Sequence, residues 1–283
     1  MPVIRPMRLQ DVRAALELTM VTFDDLSRRL NEEPEPPPPD LDAAELRYNA
    51  FVTHDPGGSW VAEDEHGLAG CALAVKREGI WGLSLLIVRP GVQSTGVGSG
   101  LLARAHDYAH DAVGRIILAS PDPRAIRAYA RLGLHLHPCF YAKGVPRGVR
   151  APEGFRDGGA DDLAFVETVD RFARGGGRRS SIETLMAMGN TLLVLPERGY
   201  AVFGEGSVRT LAALDDESAA EVLRGALARV EGEFTLNFIT AAQQWVVGPC
   251  LDAGLDLCGA KGPIFLGGDV GGFTPYLPSG AFL

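Results

Sequence analysis

The spacing of apolar residues divides this chain into short segments whose period keeps changing. Val12, Leu16, Met20, Phe23, Leu26 and Leu30 recur every three or four positions, the single apolar stripe of a helix. A strand, Ile4 to Met7, precedes it, and Asp11 stands where a helix cap belongs. A second helix is predicted over 42–52, closed by the turn Asp55-Pro56-Gly57-Gly58. Three strand-like runs follow, Trp60 to Glu63, Ala69 to Lys76 and Trp81 to Val88. Helical spacing returns at Val97, Leu101, Leu102, Ala105, Tyr108 and Ala109. Arg115 to Ser120 is a short buried-strand signal. After it, Ala125, Ile126, Tyr129, Ala130 and Leu132 form the apolar side of a short helix between Asp122-Pro123 and Gly133. Glu33 to Pro39 is a proline run, expected to form an exposed, stiff loop.

The second half repeats this order in shorter form. Phe155-Arg156 and Asp161-Asp162-Leu163 echo Ile4-Arg5 and the helix after it. Strand signals stand at Thr191 to Glu197, Tyr200 to Phe203 and Val208 to Leu214. Phe234 to Thr240, a helix around Trp245, and Gly254-Leu255 then echo 116–120, the Tyr129 helix and Gly133-Leu134. The pattern predicts two domains, 1–146 and 154–283, joined by a linker at 147–153.

One segment carries most of the chemistry. The apolar run Leu83 to Val88 ends at Pro90 and gives way to a turn containing Gly96, Gly98 and Gly100, with a helix directly after. Strand, glycine turn and helix start together aim unpaired backbone N–H groups and a positive helix end at an anion. A dinucleotide loop needs G-x-G-x-x-G, and here the spacing is G-x-G-x-G; a P-loop needs Gly-Lys before Ser or Thr, and no lysine lies between Lys76 and Lys143. Val88-x-Pro90-x-x-Gln93-x-x-Gly96-x-Gly98 instead resembles the acetyl-CoA-binding motif of the GNAT superfamily of N-acetyltransferases. Asp122, Ala125, Tyr129 and Gly133 resemble a second pattern of that family, with Asp122 in place of its asparagine and Leu134 in place of its phenylalanine.

The resemblance covers about residues 3 to 145, and the repeat extends it to a tandem, double-GNAT arrangement of actinobacterial type. It implies an α/β layered fold of two domains, each a mixed, mostly antiparallel sheet flanked by helices. It further implies that acetyl-CoA, as co-substrate, lies along Leu86, Ile87 and Val88 through their backbone. Its pyrophosphate would rest on the amides of Gln93, Ser94, Thr95, Gly96, Val97, Gly98 and Ser99. In the second half, Asp215-Asp216-Glu217 occupy the place of the glycine turn, so that copy is expected to bind no CoA. Its expected roles are structural, in homodimerisation, or as one wall of the acceptor cleft.

Acetyl transfer to an amine raises two proton problems. A lysine-like amine is neutral only about 0.04% of the time at pH 7, so a base or desolvation must supply the free amine. The departing thiolate needs a proton, and by resemblance Tyr129 is its donor. The base is open. No carboxylate lies between Trp81 and Val88, where Ser84 is the lone hydroxyl; Glu63, Glu78, His54, Asp24 and Asp25 are candidates elsewhere, each more simply read as a solvated or capping residue. The apolar C-terminal stretch Tyr276 to Leu283 adds another, since in some multi-domain relatives the terminal carboxylate enters the active site. Leu283 is therefore a further candidate base.

Composition narrows the partners. The 27 Lys and Arg against 36 Asp and Glu leave a net charge of −9 with no basic stripe, which argues against nucleic acid. The first residues carry charge and no sustained apolar run, so neither a signal peptide nor a membrane anchor is expected, and the location is read as cytoplasmic. Four cysteines without C-x-x-C, and histidine pairs without H-E-x-x-H, predict reduced thiols and no metal. The sequence thus points to an acyltransferase acting on a small-molecule or peptide amine. A catalytically silent acyl-CoA-binding module is the alternative.

Overall fold

Each change of period along the chain becomes an element in the structure, a computed structural model that describes residues 2–32, 40–204, 206–259 and 262–283. The proline run at 33–39 lies outside them. Apart from 3-10 turns, the first repeat runs β1 (Val3–Pro6), α1 (Val12–Leu30), α2 (Leu41–His54), β2 (Ser59–Asp64), β3 (Gly67–Arg77), β4 (Ile80–Val88), α3 (Val97–Asp107), β5 (Gly114–Leu118), α4 (Pro123–Ala130), β6 (His135–His137) and β7 (Phe140–Gly144). The second runs β8 (Arg156–Asp157), α5 (Leu163–Arg174), α6 (Arg179–Ala187), β9 (Thr191–Leu195), β10 (Gly199–Gly204), β11 (Ser207–Ala213), α7 (Asp216–Leu227), β12 (Phe234–Ile239), α8 (Val247–Asp252), β13 (Asp256–Cys258), β14 (Ile264–Gly268) and β15 (Tyr276–Leu277). This is a mixed α/β fold with mostly antiparallel sheets flanked by helices.

The helix entries show the repeat at atomic detail. Asp11 ends a 3-10 turn, accepts the Arg8 amide at 2.8 Å, and takes the two terminal nitrogens of Arg5 at 2.7 and 2.9 Å. Asp162 does the same with the Gly159 amide at 2.9 Å and Arg156 at 2.7 and 3.0 Å. Asp11 stands at the cap position of α1 as expected, but its carboxylate bonds back to Arg8 and Arg5 and makes no bond to the helix's own amides. The 3-10 turn carries it just outside the helix, where its oxygens clamp the strand to the turn. The guanidinium of Arg5 holds the Asp11 carboxyl below its ordinary range. At the far end of each repeat, Gly133 and Gly254 adopt φ of 76° and 77°, the left-handed stop that glycine accepts without strain.

Contacts divide the chain into two compact units, Met1–Lys76 with Trp81–Ala112, and Arg77–Ile80 with Val113–Leu283. In the first, the strands lie in the order β1-β2-β3-β4, with β1 and β3 antiparallel to β2. Trp81 is fully enclosed and donates its indole N–H to Ala105 at 3.1 Å. Tyr48 and Phe51 carry the buried face of α2, and the Tyr48 hydroxyl donates to Thr19 on α1 at 2.8 Å. The buried face of α1 is rotated from the predicted stripe. Val12, Ala15, Leu16, Thr19 and Thr22 are inside, whereas Phe23 is exposed. Thr19 and Thr22 tolerate burial because their hydroxyls donate to Ala15 and Leu18 carbonyls, each at 2.7 Å.

In the second unit, β15-β11-β10-β9-β8 form one sheet, covered by α7 through Ala219, Leu223 and Leu227 against Leu193, Ala201 and Leu211. A fully buried ionic cluster sits within it. Arg178 pairs with Asp170 at 3.1 Å and donates to Thr210 on β11 at 2.7 Å, while the Tyr200 hydroxyl donates to Asp170 at 2.6 Å. The last strands of the two repeats are exchanged. β7 of the first repeat lies between β12 and β13 of the second, whereas β14 of the second lies between β5 and β6 of the first, all antiparallel. The compact units therefore do not follow the repeat boundary at 147–153.

This exchange predicts how the halves behave when cut apart. Fragments 1–146 and 154–283 should each aggregate or lose near-ultraviolet circular dichroism alone, because each would expose bare strand edges. Co-expressed, they should copurify as a folded pair. A soluble, monomeric, folded 1–146 fragment would show that the exchanged strands are dispensable.

Candidate active site

The end of β4 is built to turn sharply and leave a helix end open. Leu83, Leu85 and Ile87 are buried, while Ser84, Leu86 and Val88 on the alternate face are only partly covered. Past Val88 the chain folds back on itself. The Gln93 side-chain amide donates to the Val88 carbonyl at 3.0 Å, the Val92 amide to Arg89 at 3.1 Å, and the Thr95 hydroxyl to Val92 at 2.7 Å. Gly96 occupies the cap position at φ 97°, a left-handed backbone, and no side chain caps α3. The first helical bond runs from the Gly100 amide to the Gly96 carbonyl at 3.0 Å, so the amides of Val97, Gly98 and Ser99 have no acceptor within the helix. A Cβ placed on Gly91 or Gly96 would meet nothing within 4 Å, so open space lies beside this turn. Arg89, which leads into this turn, is committed to Asp64 at 2.5 Å and to the Leu68 carbonyl at 3.1 Å.

The corresponding helix of the second repeat is closed. The Asp215 carboxylate caps α7 by accepting the Ser218 amide at 2.7 Å, and that bond holds its carboxyl below the ordinary range. Asp216 and Glu217 add two more negative charges to the first turn. A hollow of about 230 Å³ beside it is lined by Asp215, Asp216, Phe172 and Thr274 among others. Its helix end is already occupied by the chain's own carboxylate.

Tyr129 lies on the buried face of α4, whose first turn is capped by Asp122 through the Arg124 amide at 2.9 Å. Its ring meets Phe265 edge-on at 5.8 Å. Burial, and then the charge of Asp122, push its phenol well above the ordinary value, so it stays protonated. Ala130, expected on the apolar side of α4, is exposed instead. Leu283 is almost completely buried, and its carbonyl oxygen accepts from the buried Arg174 at 3.0 Å.

Among the other candidate bases, Glu63 pairs with Arg5 at 2.8 Å and Asp25 with Arg29 at 3.0 Å, and Asp24 pairs with Arg28. Glu78 pairs with Arg171 at 2.6 Å and accepts the Gly177 amide at 2.9 Å. His54 closes the last turn of α2. Burial lifts the Cys71 and Cys250 thiols to about 12 and Cys139 to about 11, so none offers a thiolate at neutral pH. Among the described residues there is no cluster of three metal-binding side chains, and no helix is long and apolar enough to cross a membrane. The sequence reading missed Arg47, half-way along α2, whose terminal nitrogen donates to the Ser84 hydroxyl at 2.5 Å. Ser84 had stood out as the lone hydroxyl of its strand; a single arginine on a helix carried no such signal.

Comparison with known proteins agrees with this geometry. Residues 22–134 match the family model described as the acetyltransferase (GNAT) family. No curated protein sequence matches significantly. Among solved structures, one designated an acetyltransferase from Pyrococcus horikoshii aligns at a TM-score of 0.79 and 14% identity, covering 100% of this chain and 96% of its own. A GCN5-related N-acetyltransferase from Sphaerobacter thermophilus aligns at 0.57 and 13% identity, covering 94% of each chain. A tandem GNAT protein from the clavulanic acid biosynthesis pathway aligns at 0.57 and 14% identity, covering 95% of this chain and 98% of its own. At these identities the likeness is one of fold.

The two helix ends make a testable contrast. Asp215→Ala should destabilise the protein by about 0.5–1 kcal/mol at neutral pH, the lower part of the usual range for a lost cap because the residue is exposed. The folded-state carboxyl titrates below its unfolded value, so the contribution is complete above the ordinary carboxylate range and fades as pH falls through the folded value. Denaturation curves of wild type and variant should therefore converge in acid. A constant gap down to pH 2 would show that the cap carries no charge-dependent stability.

Proposed function

We propose, from the match of residues 22–134 to the acetyltransferase (GNAT) family model, that this chain is an acyltransferase that uses acetyl-CoA to acetylate the amine of a small molecule or peptide, and that only its first repeat holds the co-substrate. The observation that carries the proposal is the contrast between two helix ends. α3 begins at Gly96 with no side-chain cap, while Asp215 caps α7. Pyrophosphate fits the first end, where bare amides, the positive helix terminus and unfilled space beside Gly91 and Gly96 coincide. It is repelled from the second. In this reading Gln93, Ser94, Thr95, Gly96, Val97, Gly98 and Ser99 receive the phosphates, and the backbone of Leu86, Ile87 and Val88 receives the pantetheine arm. The domain assignment follows the repeat, 1–146 catalytic and 154–283 without a phosphate site, with a homodimer as one role for the latter and the cytoplasm as the compartment.

The amine nitrogen attacks the thioester carbonyl carbon directly. A C–N bond forms, the C–S bond breaks, and no covalent enzyme intermediate intervenes. The thiolate takes its proton from the Tyr129 hydroxyl, which burial keeps protonated. We assign Leu283 as the group that receives the amine proton, its terminal carboxylate steadied by Arg174.

Titration calorimetry with acetyl-CoA should give one site per chain, and Gly96→Asp should abolish it through bulk and charge. Two sites per chain, or near-wild-type affinity in a folded Gly96→Asp protein, would sink the phosphate assignment. Binding without turnover on any amine in a pooled library would favour the silent acyl-CoA-binding module.

Tyr129→Phe keeps the ring and its contact with Phe265 but removes the proton. Turnover should fall roughly 100- to 10,000-fold, while acetyl-CoA affinity and melting temperature change little. Parallel loss of stability and activity would make Tyr129 a core residue only.

A further inference from the structure

Arg47 is held where a charge is costly to keep. It sits on α2 beside Tyr48 and Phe51, its guanidinium carbon 5.8 and 6.0 Å from their ring centres. One terminal nitrogen donates to the Ser84 hydroxyl at 2.5 Å and weakly to the Ser84 carbonyl at 3.4 Å. Its Nε is fully buried and has no hydrogen-bond partner. Among the described residues no carboxylate pairs with it, and burial lowers its pKa, with Tyr48 and Cys71 opposing. Arg47 as a whole is half-buried, and a half-buried guanidinium with no acid beside it is open to a carboxylate, which its planar donors suit well.

The second repeat supplies an internal control. On the corresponding strand, β11, Thr210 likewise accepts from a buried arginine, Arg178. There the chain provides the missing anion, Asp170, at 3.1 Å, with the Tyr200 hydroxyl beside it, although one terminal nitrogen of Arg178 is buried without a partner. The first repeat has the arginine and the strand hydroxyl but, among the described residues, no acid paired with them. The same asymmetry separates the two helix ends, where Asp215 fills α7 and nothing fills α3.

We infer that Arg47, with Ser84, is an acceptor-binding site for a carboxylate, and that the acceptor is an amine that also carries a carboxyl group. This rests on the acyl-transfer reading proposed above. The positively charged amine also suits a chain whose net charge is −9, while its carboxylate needs a local cation to enter.

Matched pairs differing only in the carboxyl group test it: lysine against cadaverine, ornithine against putrescine, phenylalanine against phenethylamine. Acetyl-CoA consumption should favour the carboxylated member by about 10-fold or more in kcat/KM. In Arg47→Gln that ratio should collapse towards one, mainly through KM. Equal use of both members by the wild type, or a preference that survives in Arg47→Gln, would overturn the site while leaving acetyl transfer standing. A second readout needs no turnover. Arg47→Met should melt at or above the wild-type temperature if the arginine is kept for a ligand, since it removes a half-buried charge that has no acid partner among the described residues. A fall of more than about 3 °C would make Arg47 a structural tie between α2 and β4 and overturn the proposal. Failure of every pair to turn over would count against the acyl-transfer reading, and the melting comparison would then decide the Arg47 site alone.

Discussion

Polar groups taken out of water must be partnered, and the two repeats of this chain meet that constraint in opposite ways. The second repeat answers from within. Asp215 caps α7, and Asp170 neutralises Arg178, one of whose terminal nitrogens also reaches Tyr200 and Thr210 while the other is buried without a partner. The first repeat leaves comparable groups open. α3 has no side-chain cap, and Arg47 has a hydroxyl partner but no acid. Where both repeats need a structural clamp, they agree closely: Arg5 with Asp11 and Arg156 with Asp162 share the same spacing, the same bidentate contact and the same backbone donor three residues before the acid. The divergence is thus confined to groups that could face a ligand. Where its own acids meet the helix end and the buried arginine, the second repeat leaves no open place for an anion at either.

The strand exchange explains why such a copy is kept. β14 hydrogen-bonds along the full length of β5, from Ile264 opposite Leu118 to Gly268 opposite Gly114, and along β6 on its other edge. β7 is held in turn by β12 and β13. Tyr129 packs its ring against Phe265 of β14, so the proposed acid is positioned by a residue of the second repeat. Loss of the phosphate turn from the second repeat therefore does not release it from selection on packing. Its strands remain part of the sheet that supports α4.

Much of this was legible along the chain because it is local. The glycine turn depends on backbone angles that only nearby residues set, and Gly96 at φ 97° stands where its spacing placed it. The caps of α4 and α7 are equally local, each carboxylate bonding an amide two or three residues on. What could not be read involves distance or substitution of roles. β7 and β14 have ordinary strand patterns, and nothing in a period of two says which edge a strand will join. Asp11 resembles a cap by position, yet Arg5, six residues earlier, claims it. The face of α1 was misplaced because Thr19 and Thr22 look polar in a hydropathy pattern but satisfy their hydroxyls on their own helix. Arg47 was overlooked for the converse reason: a helix surface is full of arginines, and only the surroundings show that this one is half-buried against Ser84, Tyr48 and Phe51.

Burial also bears on whether Tyr129 can act as an acid at all. Its phenol is raised far above neutral pH, which guarantees that the proton is present but makes its release costly. In water, transfer to a thiolate whose conjugate acid has a pKa near 8.5 would run uphill. A thiolate formed in a dry site is not in that position. The thiols of this chain shift in the same sense, since burial raises Cys250 well above its ordinary value. Desolvation acts on both partners in the same direction, so a departing thiolate excluded from water approaches the phenol in basicity, and the proton moves across a small difference. That exclusion would then make the proposed proton transfer feasible. A tyrosine in a wet version of this site would hold its proton against a well-solvated thiolate, and its hydroxyl would add little to water.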